Sequence, residues 1–130
     1  MPADQTPPPA AYQVVERYGP GSFQISGRAF ANSVLVFPER TVDWGVTSFS
    51  ELNADAFAPV LAEAEASGGI EILLLGCGFR MELVRQALRT PLRAAGIVIE
   101  PMDTGAAART FNLLLSEDRK VAAALIALPQ

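Results

Sequence analysis

The sequence predicts one α/β domain, with parallel core strands, an antiparallel last strand and a β-rich N-terminal part. Three observations predict it. Two strand–turn–helix units follow one another, at residues 70–89 and 97–117, and right-handed crossovers make such consecutive strands parallel. Residues 12–46 instead show four short β-prone runs broken by turn residues, spaced as in an antiparallel meander. Residues 121–128 form a last apolar run. Only Asp118-Arg119-Lys120 separates it from the helix before it, which reads as too short for a crossover and so predicts antiparallel pairing. With 130 residues, half of them hydrophobic, the chain is sized for a single core.

Each element has a local reason. Residues 1–11 are proline-rich and read as a disordered tail; the domain then covers residues 12–130. Candidate strands are residues 14–18, 23–25, 34–37 and 41–46, with Pro38-Glu39-Arg40 as the hairpin turn between the last two. Trp44 closes this part and is expected to plug the core edge. Asn53 can cap a helix reaching Ser67, in which Phe57, Val60, Leu61 and Ala64 make one apolar stripe. Pro59 predicts either a regular start near Ala58 or a preceding 3₁₀ turn. Gly68-Gly69 stops that helix. Residues 70–75 are apolar throughout, as in a parallel strand buried on both faces. A helix is expected after Arg80, to about Arg89, with Thr90-Pro91 interrupting it and a short helix over residues 91–95. Residues 97–101 are the next strand. The helix over residues 104–117 turns Ala107, Phe111, Leu114 and Leu115 inward.

Composition removes several functions. The net charge of −4 and pI near 4.7 argue against a nucleic-acid partner, which calls for a basic surface. One cysteine, Cys77, rules out an internal disulfide. The absence of histidine removes the commonest general base and the usual zinc ligand, and no metal or cofactor is expected. No run approaches the roughly 18 apolar residues of a membrane span. The N-terminal residues read as neither a signal nor a transit peptide.

The polar residues gather where the two core strands end. Gly76-Cys77-Gly78 permits a sharp turn and close ligand approach, and its N–H groups could hold an anion; tight strand–helix packing explains the glycines equally. Cys77 lacks any histidine to activate it, so a buried thiol is the simpler reading. Arg80 stands in the expected first turn of a helix, where a cation is unfavourable. That placement predicts either an anionic partner, Asp103 or a ligand, or an arginine reaching to solvent. Asp103 suits an N-cap ahead of Thr104. Asp103-Thr104-Gly105-Ala106 also spells the aspartic-protease tetrad, but that chemistry needs two aspartates sharing a proton in a β framework. Here one copy leads into an alanine-rich helix. Arg109 and Asn112 share one face of it, either to meet a partner or as a solvated surface.

Three segments together resemble a known family. They are the run from Glu71 to Gly78, the run from Gly96 to Leu114 with Met102-Asp103-Thr104-Gly105 leading to Arg109-Thr110-Phe111-Asn112, and Val121 to Ile126. Trp44 upstream fits as well. This resembles the small domain shared by the mitochondrial complex I assembly factor three family, its bacterial relatives and the adipogenesis-associated domain proteins, over about residues 12–128. The resemblance implies a three-layer α/β fold with a central mixed sheet and an added N-terminal β-hairpin layer. It implies a scaffold role in building NADH:ubiquinone oxidoreductase, and no established reaction. Without a targeting segment, it implies a bacterial, cytoplasmic member. Members often carry threonine where this chain has Cys77, which further weakens thiol chemistry.

The leading expectation is a non-catalytic interaction or scaffold protein, an assembly factor for respiratory complex I or another membrane complex. Its partners would be respiratory-complex subunits or insertion machinery, met at a surface near Trp44, Arg109 and Asn112. Any membrane association would run through those partners. The alternative is an anion- or nucleotide-binding protein or enzyme using a pocket of Gly76, Cys77, Gly78, Arg80, Asp103 and Thr104. A structural homo-oligomer is a third reading, and the sequence leaves the oligomeric state open.

Overall fold

The computed structural model describes residues 12–129. The expected tail, residues 1–11, lies outside them. Strands β1 (Val15–Gly19), β2 (Ser22–Ile25) and β3 (Arg28–Phe30) form an antiparallel three-stranded sheet in that order. β4 (Val34–Val36), β5 (Thr41–Asp43), β6 (Ile72–Gly76), β7 (Val98–Met102) and β8 (Val121–Leu125) form a mixed sheet ordered β5-β4-β8-β6-β7. Helices α1 (Ala58–Ser67), α2 (Gln86–Ala94) and α3 (Thr104–Ser116) complete the domain. The expected α/β architecture with an added N-terminal hairpin layer is present.

Topology sets the layers. From β6 the chain moves to β7 through α2, then reverses past β6 to β8 through α3. Right-handed crossovers in opposite directions put their helices on opposite faces. Accordingly, Leu88 and Leu92 of α2 share a core with Leu73, Leu75, Ala122 and Ala124, together with Val60 and Ala64 of α1. Ala107, Phe111 and Leu115 of α3 pack with Leu74, Ala123 and Leu125 on the other face, where Val15, Phe23, Ile25 and Phe30 of the small sheet join them. Period-two alternation along β6 and β8 divides their side chains between the two cores. Each buried Leu, Val or Phe contributes roughly 1.5–3 kcal/mol of transfer free energy.

The last strand is antiparallel, as expected, on one side only. β8 is antiparallel to β4, with Val34 opposite Leu125, but parallel to β6, with Ile72 opposite Val121. The crossover is α3 itself, so the short Asp118-Arg119-Lys120 turn imposes no reversal. β8 also ends at Leu125 rather than Leu128. Beyond it the chain leaves the sheet, and Leu128 bridges Pro20 and accepts a hydrogen bond from Gly21 N–H at 2.7 Å.

Two further elements differ. β3 was not anticipated: it is three residues long, and it is created by the Ser26-Gly27 turn, both residues at positive φ (48° and 83°), which folds it back on β2. The helix expected after Arg80 begins only at Gln86, and Pro91 lies inside it. Burial of Leu88 and Leu92 holds this single helix across Pro91, at the loss of one backbone hydrogen bond. Around α1 the structure has both anticipated features: a 3₁₀ turn over Ala54–Phe57, capped by Asn53 accepting from Ala56 N–H at 3.1 Å, then a regular start at Ala58.

Gly76, the last residue of β6, lies directly under α3. A Cβ there would sit 2.9 Å from Thr104 Cα and 3.1 Å from Leu125 Cδ2. The nearest obstacle is backbone, which cannot rotate away. Gly76→Ala should therefore destabilise the protein by about 1–3 kcal/mol, read as a lower urea midpoint with an unchanged slope.

Candidate functional site

In α/β sheets a crevice opens where neighbouring strands send their helices to opposite faces. Here that point lies between β6 and β7, at the sheet edge where Gly76 to Gly78 and Met102 to Thr104 leave the strands. The two loops are tied together. Cys77 N–H donates to Met102 C=O at 2.8 Å, and Thr104 N–H donates to Gly78 C=O at 2.8 Å. The fully buried Thr104 hydroxyl accepts from Gly78 N–H at 2.9 Å and donates to Ile126 C=O at 2.7 Å. Thr104 therefore links the ends of β6 and β8 to the start of α3.

The other residues expected around a pocket disperse from this knot. Asp103 caps α3, its carboxylate accepting from Ala106 N–H at 2.8 Å. Arg80 is exposed and makes no ion pair with Asp103. α2 begins at Gln86 with Arg85 at its N-cap, so the turn from Gly76 to Arg80 does not lead directly into a helix. Cys77 is buried, its thiol directed at Leu75 C=O at 3.6 Å. Burial pushes that thiol's pKa up, only partly countered by the backbone N–H groups of Glu82 and Met102. Cys77 and Gly78 do border an open hollow of about 410 Å³, shared with Thr47, Ser48, Ser50, Phe79 and Glu82.

The residues expected to form one partner surface are not brought together. Trp44 is 5% exposed, sits in the core on the α1 side of the sheet and donates from Nε1 to Ala56 C=O at 2.8 Å. Its ring centroid is 5.8 Å from that of Phe57. It is the core plug. Arg109 and Asn112 lie across the sheet on α3. Asn112 is spent on β1, its side-chain oxygen accepting from Val15 N–H and its amide donating to Val15 C=O, both at 2.9 Å. Arg109 is exposed and donates to the Tyr18 hydroxyl at 2.6 Å.

Sequence reasoning missed the loop between β6 and α2. Phe79, Met81 and Leu83 are exposed there, while Val84 is buried. Two signals could have revealed the loop: Phe79, Met81 and Leu83 alternate with Arg80 and Glu82, a period of two rather than 3.6. No Ser, Thr, Asp or Asn is available between Gly76 and Gln86 to cap a helix.

This arrangement defines an Mth938-like domain. The solution structure of a Bordetella pertussis protein described as an Mth938-like domain matches with a TM-score of 0.81 at 29% identity, over 97% of this chain and 92% of that one. A crystal structure from Bordetella parapertussis gives 0.83 at 33% identity, covering 92% of this chain and 99% of the other. Within that class the chain belongs to the family described as protein of unknown function DUF498/DUF598, whose model matches residues 15–126. An uncharacterized protein of Rhodobacter capsulatus is 36% identical over 115 residues, 88% of this chain and 85% of its own. The protein named NADH dehydrogenase (ubiquinone) 1 alpha subcomplex assembly factor 3 in Danio rerio is 36% identical over 121 residues, 92% of this chain and 67% of its own. The Homo sapiens protein of that name is 33% identical, and the match spans 61% of its length.

Two outcomes follow from the knot. Thr104→Val keeps the shape but leaves a buried N–H and a buried C=O without their partner, so it should cost about 2–5 kcal/mol in urea unfolding, with Thr104→Ser recovering most of it. The raised Cys77 pKa leaves the thiol protonated at neutral pH. Maleimide labelling of the native protein should be slow there and accelerate only above the ordinary thiol value of about 8.5, whereas labelling in denaturant should follow ordinary thiol behaviour.

Proposed function

We propose that this chain is a non-catalytic scaffold that helps assemble a membrane respiratory complex, with NADH:ubiquinone oxidoreductase as its object. The observation that carries the reading is the match, across nine-tenths of this chain, to proteins named as assembly factors of that enzyme. The site chemistry supports it. At the strand ends that an enzyme of this topology would use, the Thr104 hydroxyl is spent on Gly78 and Ile126. Asp103 is spent as a helix cap, and the thiol of Cys77 is buried and held in its neutral form. The partners of such a scaffold are proteins, either respiratory-complex subunits or the machinery that inserts them, and its working place is the cytoplasmic side of a bacterial membrane.

The reading has a direct test. A tagged chain recovered from detergent-solubilised membranes of its source cells should enrich subunits of the NADH dehydrogenase. Its deletion should leave partly assembled subcomplexes on native gels. A fully assembled enzyme in the deletion strain, with no subunit enriched, would sink the proposal. In parallel, phosphate and nucleotides should leave the thermal midpoint of the purified protein unchanged; a saturable upward shift would favour a ligand-binding role instead.

A further inference from the structure

The loop joining β6 to α2 combines two properties found together nowhere else among the described residues. Its apolar side chains stand in solvent: Leu83 is 83% exposed, Phe79 70% and Met81 51%, and the first two exceed every other large apolar residue described. Exposed apolar residues gathered in one place mark an interaction site more often than scattered ones do. The stretch from this loop through α2 is also the most basic part of an acidic sequence. Residues 79–95 contain four arginines and one glutamate, while the rest of the chain has six Lys or Arg against thirteen Asp or Glu. No carboxylate neutralises these arginines, since Arg40–Glu63 is the one ion pair among the described residues. Arg85 and Arg89 donate to the backbone carbonyls of Leu52, Val84 and Ile99, which fix their positions and leave their charge in place.

We propose that residues 79–83, with Arg80 within them and Arg85 at the start of α2, dock the protein on an anionic lipid surface. The form of the loop favours lipid over a protein groove. Phe79, Met81 and Leu83 are all exposed, although the backbone bends at Phe79 and Arg80 and forms no strand. They project singly from irregular backbone rather than forming a flat patch. Separate projecting side chains require a pocket apiece from a rigid partner, but a fluid interface conforms to them. Irregular backbone cannot enter hydrocarbon, because its polar groups would lose water, so insertion stops at the side chains. Shallow apolar insertion and basic charge are each weak alone and become effective together. The acidic remainder of the chain is repelled by the same surface, which orients the domain with this loop toward it.

Vesicle flotation of the purified chain tests this without any partner protein, so the outcome is independent of the assembly role. Vesicles containing phosphatidylglycerol should retain the protein at least about tenfold more than phosphatidylcholine alone, with retention falling as salt rises. The double variant Phe79→Ser/Leu83→Ser should lose most of that binding with an unchanged thermal midpoint, because both side chains are exposed. Arg80→Glu should reduce binding and flatten its salt dependence. Leu83→Trp should show blue-shifted emission only with anionic vesicles, over the constant background of buried Trp44. Equal retention on neutral vesicles, no retention at all, or full binding by the serine variant would overturn the proposal. So would serine variants that lose a co-purifying protein in cells while the wild type ignores lipid, which would make the loop a protein contact.

Discussion

The structure depends on one buried hydroxyl. Thr104 is the first residue of α3, and its Oγ1 takes a hydrogen bond from Gly78 and gives one to Ile126. Three segments that leave the sheet in different directions are thereby joined at a single atom: the end of β6, the end of β8 and the start of α3. The arrangement requires α3 to lie close against β6, and only a residue without a side chain can stand beneath it, which is the role of Gly76. A buried polar group is tolerable when it is fully paired and costly when it is not. The hydroxyl is paired on both sides, so the knot rigidifies the sheet edge instead of weakening it.

The rest of the domain can be read outward from there. Two crossovers of the same hand but opposite direction place α2 and α3 on opposite faces and make β8 central. A central strand between two helical layers must be apolar throughout and small where helices approach, and Ala122, Ala123 and Ala124 satisfy both demands. β7 is an edge strand and carries Pro101, which presents no N–H to a stray strand. On the far side, Asn112 holds β1 to α3 through both backbone groups of Val15, so the small sheet is fastened by hydrogen bonds as well as by its apolar face. A fold built this way uses its polar residues for internal connection. Against that background, the exposed apolar side chains of the loop at residues 79–83 stand out.

Much of this was legible in the sequence. The all-apolar run at β6, the Asp103 cap, the Asn53 cap and the inward face of α3 follow from local rules that need no tertiary information. What local rules misread was each case where two explanations share one pattern. The polar cluster at Asp103-Thr104 looks the same whether it faces a ligand or its neighbouring strands. Arg109 and Asn112 look like a solvated face until β1, ninety-odd residues away in sequence, is laid against them. Phe79 and Leu83 satisfy a helical arc as well as a period of two, and only the missing cap residue distinguishes the two.

By itself, the sequence determined that the domain is α/β, where its core strands and third helix lie, and that this stretch of chain holds no histidine and no internal disulfide. Those properties rest on side-chain type and short-range periodicity. Only the tertiary structure decided that β8 runs parallel to β6, that α2 starts late and passes through Pro91, and that the Thr104 hydroxyl is buried against Gly78 and Ile126 while Phe79, Met81 and Leu83 remain outside. Strand direction, burial and hydrogen-bond partner are properties of pairs of distant segments. Their energies appear only when those segments meet, so no stretch of the chain read alone contains them.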